Sequence, residues 1–256
     1  MYSLTGKTVF ITGASSGFGA ATARKFAEHG SRLLLCARRI DRLNAFAEEL
    51  RTAYGVDVHA FELDVRNRGA VHHRISELPQ QWQHISLLVN NAGLARGMSL
   101  IHEGDIEDWE EMIDTNVKGL LYISRAVLPG MVARDEGHVI NIGSTAGHQV
   151  YPKGNVYCGS KHAERAISEG MRLDLHGTSV RVTTIDPGLA ETEFSMVRFH
   201  GDKEKATATY KGMHPLDASD IADAIFYCAT RPPHVNIQEI LMMPTAQASV
   251  TMVHRK

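Results

Sequence analysis

The sequence predicts one α/β domain built on a doubly wound parallel sheet of about seven strands, on three observations. Short apolar runs alternate with helix-like stretches along the chain, the pattern of a parallel sheet covered on both faces. A glycine-rich turn joins the first apolar run to the first helical stretch. The 256 residues, 43% of them apolar, suffice for one large core, and no internal repeat, low-complexity segment or linker divides them.

The first strand, KTVFI at residues 7–11, feeds TGASSGFG at residues 12–19, and a helical stretch over 20–29 ends at Gly30. Glycines let the backbone approach an anion, and a helix start offers free N–H groups and a positive dipole end. Gly13, Ser15, Ser16, Gly17, Phe18 and Gly19 are therefore the candidate phosphate contacts. The second strand, residues 32–36, ends in Ala37, Arg38 and Arg39. In a Rossmann-like unit this end meets the adenosine ribose: an acid bonds the 2′-hydroxyl of NAD, whereas arginines accommodate the 2′-phosphate of NADP. No acid stands there, since Asp41 lies in the following helix, so NADP(H) is the expected cofactor.

A helix over 41–54 and a strand over 57–63 follow, ending at Asp64 and Val65, where the adenine ring would sit. A helix over 68–77 precedes the strand at 85–89, which delivers Asn90, Asn91, Ala92 and Gly93. Trp109, Met112, Ile113, Val117 and Leu120 form an apolar helical stripe that contains Asn116, and a polar residue there must be hydrogen-bonded. The fifth strand, 138–142, ends at Gly143 and Ser144, and a helix over 155–176 carries Tyr157 and Lys161. Positions i and i+4 share a helix face. A tyrosine, with a reference pKa of about 10, is a poor proton donor at neutral pH, and a lysine cation beside it favours the phenolate. After the sixth strand, 180–185, residues 189–213 lack periodicity and suggest a substrate lid at the strands' carboxyl ends. A helix over 218–229 and a strand over 237–242 close a catalytic domain of residues 1–243. Residues 244–256 are expected to fray unless docked on a partner subunit.

These motifs resemble the short-chain dehydrogenase/reductase family. TGASSGFG matches its TGxxxGxG loop, NNAG at 90–93 its fourth-strand motif, and Asn116 its helix asparagine. Ser144, Tyr157 and Lys161 match its catalytic set, and Pro187, Gly188 and Thr192 its nicotinamide-side loop. The resemblance implies that Asn91, Ala92, Gly93, Tyr157 and Lys161 also touch the cofactor. It implies as well that Asn116 joins a water-linked proton relay to Lys161. The stretches NIGSTAG at 141–147, DPG at 186–188 and EFS at 193–195 through Arg198 and Phe199 resemble bacterial NADP-dependent 3-hydroxy acid dehydrogenases. That group acts on serine, allo-threonine, 3-hydroxypropionate and malonic semialdehyde, and sulfoacetaldehyde reductases are its neighbours. Substrate variation is expected at 148–153.

Ser144 and Tyr157 would then contact the substrate oxygen, with Tyr157 as general acid in reduction and base in oxidation. Arg198, one cation in a mostly apolar lid stretch, is the candidate anchor for an acid group, because guanidinium matches carboxylate or sulfonate. Arg96, beside the NNAG turn, is the second candidate. The expected substrate is a small anionic hydroxy acid or its aldehyde. A non-catalytic NADP sensor is the competing class, but it would have no use for the serine, tyrosine and lysine set.

A net charge of −2 gives no broad electrostatic attraction to nucleic acid or membrane. No apolar run is long enough to span a bilayer and no leader precedes the first strand, so a cytoplasmic enzyme is expected. Cys36, Cys158 and Cys228 form no CxxC pair, and the 14 histidines show no metal-ligand spacing, so no metal is expected. A homo-oligomer, dimer or tetramer, is the family expectation.

Overall fold

In a computed structural model that describes residues 2–256, seven strands form one parallel sheet in the order β3-β2-β1-β4-β5-β6-β7. They are β1 (Thr8–Thr12), β2 (Arg32–Ala37), β3 (Val58–Glu62), β4 (Ile85–Asn90), β5 (Gly137–Ile142), β6 (Val180–Pro187) and β7 (Glu239–Met242). β1, β2, β4, β5 and β6 are almost wholly buried, as unbroken apolar runs demand when helices cover both sheet faces. Strand order reverses between β1 and β4, and ligands bind in such a crevice at the strands' carboxyl ends.

One apolar layer packs α1 (Gly17–Glu28), α2 (Ile40–Tyr54) and α9 (Ala218–Ala229) on the sheet through Phe26, Leu43, Leu50 and Ile225. The other face is covered by α3 (Arg68–Ser76), α5 (Leu120–Ala133) and α6 (Asn155–Asp174), with Leu88, Ile123 and Met131 fully buried. Local chemistry sets the ends of several helices. Asn67 caps α3, Asp217 and Asp220 make a reciprocal capping box on α9, and α2 stops at Gly55 in the left-handed region.

The apolar stripe expected around Asn116 is a longer structure than the sequence suggests. α4 (Ile106–Ile113) continues through a π-turn, Asp114–Gly119, into α5. Such widened turns interrupt the regular ladder and often mark functional positions. The lid holds two short helices, α7 (Phe194–Arg198) and α8 (Lys203–Ala208). Neither is long enough to display a helical period in sequence.

The C-terminal tail differs from the expectation of a segment that frays without a partner subunit. Val253 bridges back to Gln247, and the Lys256 N–H bonds the Gly212 carbonyl. The Arg255 guanidinium donates to the Lys211 and Thr209 carbonyls at 2.7 and 3.0 Å. The tail is thereby docked on the lid of its own chain.

Candidate active site

A cleft of about 780 Å³ runs along the carboxyl ends of the strands, within the range of small-molecule sites. At one end Gly13, Ser15, Ser16, Gly17 and Phe18 line it, with Gly13 and Gly17 at φ of 64° and 52°, which glycine alone adopts freely. Thr192 faces Gly17 across this loop. Gly19 does not line the cleft: an added Cβ there would stand 2.6 Å from Asn91 Nδ2 and the Gly13 carbonyl. The missing side chain of Gly19 thus seats α1 tightly on β1. Asn91 faces the cleft while its amide donates to the Thr12 and Gly13 carbonyls at 2.8 and 3.2 Å, bracing the loop from β4.

The ribose end carries both expected arginines. Arg39 donates to Ser16 Oγ at 2.9 Å and Ser15 Oγ at 3.3 Å, and also meets Glu193. Arg38 reaches Glu111 at 3.3 Å. Both guanidinium groups are half-exposed, and their contacts with these acids are of the weak, solvent-screened kind that an entering phosphate can displace. Asp64 and Val65 line the same end, with Ala92, Gly93, Pro187 and Gly188 further along. Burial works against the Asp64 carboxylate, but hydrogen bonds and charge from Arg66 hold it below its usual range. A positive-φ glycine cradle, a cationic ribose end and a cleft of this volume fit a phosphorylated dinucleotide.

At the centre, Ser144, Tyr157 and Lys161 all line the cleft. Ser144 begins a single 3₁₀ turn, where its Oγ accepts from the Ala146 N–H at 3.1 Å. The preceding Gly143 is required by packing, because any Cβ there would collide with the Asp186 carboxylate. Tyr157 is 8% exposed, with Phe194 at 5.8 Å between ring centroids and the Arg198 guanidinium 5.4 Å from its own ring centre. Lys161 Nζ, buried behind it, donates to the Ile142 carbonyl at 2.8 Å and to Glu164 Oε2 at 2.7 Å. Burial disfavours the ammonium, yet Glu164 and Tyr157 outweigh it and raise Lys161 above the ordinary lysine value.

Asn116 is not brought to the cleft. Its amide donates to the Leu94 carbonyl at 2.8 Å and to Ser160 Oγ at 3.0 Å, and its oxygen accepts from the Leu94 N–H at 2.9 Å. The side chain thus ties the π-turn to the NNAG loop and α6. Thr115, its neighbour on the π-turn, does line the cleft.

The two candidate anchors separate clearly. Arg96 is engaged by Glu111 at 2.5 Å and by the Val197 carbonyl at 2.7 Å. Arg198 has only neutral partners, the Gly97 carbonyl at 3.2 Å and the Tyr151 hydroxyl at 2.8 Å, and no carboxylate within ion-pair distance among the described residues. Burial pushes the Tyr151 hydroxyl up to about 12, against the pull of Arg198, so it stays protonated.

Sequence reasoning missed Tyr151, Glu111, Glu164 and the tail residues Gln247 and Arg255. Gln247 is 6% exposed and its carbonyl oxygen accepts from the Leu189 N–H at 2.8 Å, which joins tail, lid and cleft. The segment 148–153 held a signal for Tyr151, an aromatic residue six places before the tyrosine. Nothing distinguished Glu111 or Glu164 from surface charges. One grouping of ligand-type side chains is also new: His148 Nε2 lies 2.9 Å from both Asp186 and Glu239. Arg165 reaches the same Glu239 oxygen at 3.1 Å, so these four residues satisfy one another without an ion.

Comparison with known proteins agrees with this geometry. The family model described as short chain dehydrogenase matches residues 7–203. The NADP-dependent 3-hydroxy acid dehydrogenase YdfG of Salmonella typhi is 52% identical over 249 residues, 96% of this chain and 99% of that protein. Sulfoacetaldehyde reductase 2 of Chromohalobacter salexigens is 47% identical over 241 residues, 94% of this chain and 95% of that one. A closed form of serine dehydrogenase complexed with NADP+ superposes with a TM-score of 0.91 at 49% identity, covering 97% of this chain and all of the other. A sheet of this order, with a glycine cradle at β1 and a tyrosine–lysine pair on α6, places the chain in the short-chain dehydrogenase family.

Proposed function

We propose that this protein is an NADP-dependent oxidoreductase that interconverts a small 3-hydroxy acid and its semialdehyde or keto acid. The observation that carries the substrate class is Arg198, a guanidinium free of acidic partners and held over the ring of Tyr157. Relatives named as 3-hydroxy acid dehydrogenase and sulfoacetaldehyde reductase both act on molecules with an acid group near the reacting carbon.

The bound nicotinamide supplies or accepts the hydride at the substrate carbon. Gly13, Ser15, Ser16, Gly17, Phe18 and Thr192 would hold the pyrophosphate, Arg38 and Arg39 the 2′-phosphate, and Asp64 and Val65 the adenine side. In reduction, Ser144 donates a hydrogen bond to the carbonyl oxygen and Tyr157 delivers the proton to it; oxidation runs the transfer backwards. Lys161 stays cationic behind the phenol and leaves one N–H for the nicotinamide ribose, its other bonds going to Ile142 and Glu164. The acid group lies on Arg198, while Tyr151, accepting from Arg198, keeps its own O–H to donate. A charge-assisted contact of this kind contributes about 1.5–3 kcal/mol.

A cytoplasmic location and a homo-oligomer belong to the same reading. Three free, buried cysteines support the first, as does the lack of a helix long and apolar enough to cross a membrane among the described residues. Exposed Leu173 on α6 and Leu241 on the sheet-edge strand β7 support the second. An NADPH-oxidation screen with malonic semialdehyde, sulfoacetaldehyde and a neutral aldehyde tests the assignment. The carboxylate substrate is expected to give the highest kcat/KM. Preference for the neutral aldehyde overturns the substrate class, and preference for the sulfonate moves the assignment to sulfoacetaldehyde reduction.

A further inference from the structure

Glu164 has no task in the steps above, yet it is the closest charged group to the catalytic lysine. It lies one helical turn beyond Lys161 on α6, is 2% exposed, and accepts from Lys161 Nζ at 2.7 Å. A carboxylate is expensive to bury, and a surface role is ruled out by its position. Its oxygen and the Ile142 carbonyl hold the ammonium from two sides, which fixes where Nζ stands relative to Tyr157. The opposing charge also cancels part of the field that the ammonium exerts on the phenol.

We propose that Glu164 is a positioning residue for the tyrosine–lysine pair, and that its charge sets the pH range over which the enzyme turns over. The groups facing it come from three elements besides its own helix. Asp186 of β6 acts on both Glu164 and Lys161 through charge. Asp186 in turn meets His148, from the turn after β5, and His148 meets Glu239 of β7, whose carboxylate is also bound by Arg165 of α6. His148 and Glu239 are partly exposed, so this chain of polar groups leads from the buried pair to solvent. Burial pushes the Glu164 carboxyl up to about 7, against the pull of Lys161, which puts its change of charge in the working range. Above that pH the ammonium is compensated. Below it the ammonium faces Tyr157 without that compensation.

Glu164→Gln separates charge from shape, since the amide oxygen can still accept from Lys161. With saturating NADP+ and a 3-hydroxy acid, the acid limb of kcat is expected to move to lower pH in the variant. The shift should be about one to three pH units, as for a unit charge acting over about 12 to 4 Å at an effective dielectric of about 20. Ultraviolet titration of the phenolate, taken as the difference from Tyr157→Phe in the same background, reads the same group with no substrate present. It should show the same shift, so failure of the substrate assignment is distinguishable from failure of this one. If Glu164→Gln does not fold, Glu164→Asp decides. Its carboxylate stands one methylene farther back, so a several-fold lower kcat and a higher KM for NADP+ are expected with the acid limb retained. Superimposable pH titrations of wild type and Glu164→Gln, or wild-type kinetic constants in Glu164→Asp, overturn the proposal and leave a purely structural ion pair.

Discussion

Tyr157 carries the proton in this scheme, and the arrangement around it makes the consequence of losing its hydroxyl specific. The ring packs against Phe194 and lies under Arg198, contacts that phenylalanine keeps. Tyr157→Phe should therefore lower kcat by about 100- to 10,000-fold, the usual worth of general acid–base catalysis, with NADPH affinity within a few-fold of wild type. Stopped-flow turnover and isothermal titration check the two halves. A variant that keeps most of its kcat would remove the tyrosine from the mechanism. At this scale the sequence was informative where spacing constrains chemistry: Ser144, Tyr157 and Lys161 reach the cleft, as do Gly13, Ser15, Ser16, Gly17 and Phe18 of the glycine loop. It was uninformative where burial decides. Glu164 looks like any helical acid until β5 and β6 close over it, and Asn116 carries a family motif whose side chain turns out to be engaged by Leu94 and Ser160.

The elements of the sheet were legible to within a residue or two at most ends, because buried parallel strands are unbroken apolar runs and their helices are amphipathic. The π-turn was not, since widening one helical turn changes no residue period that a reader can detect. The short helices of the lid and the docking of the tail were not either, because segments of five or six residues stabilised by backbone bonds to distant loops have no periodicity of their own. One strand carries a testable cost. His138 on β5 is buried; burial, with the Arg181 charge adding to it, holds its pKa well below the ordinary histidine value. The folded chain therefore keeps the ring neutral while the unfolded chain takes up a proton. The stability that follows is fully present above about pH 6.5 and is lost as pH falls toward the folded value, by up to about 1.4 kcal/mol per pH unit. Chemical denaturation at neutral pH and at about pH 5 should show that His138→Gln loses less stability than wild type over that interval. Equal losses would mean that other groups govern the acid limb of stability.

Across the whole molecule, one surface is made from parts distant in sequence. The cradle comes from β1, the proposed proton donor from α6, the proposed acid anchor from α7, and the tail closes the far side through Gln247 and Arg255. The Arg255 and Lys256 contacts with 209–212 make the tail a strap over the lid, with each hydrogen bond worth about 1 kcal/mol. Removing residues 253–256 should raise the substrate KM by roughly five- to tenfold while leaving NADPH binding nearly intact, as steady-state kinetics and titration will show. An unchanged KM would make the tail a passive cover. The central claim is that an acid-bearing substrate is held by Arg198 over the tyrosine that gives it a proton. Its most direct test is kcat/KM for malonic semialdehyde and for a neutral aldehyde of similar size, in wild type and in Arg198→Ala. Loss of the anchor should lower the value for the acid by roughly ten- to a hundredfold and leave the neutral aldehyde within a few-fold; an equal fall for both, or none for either, would contradict it.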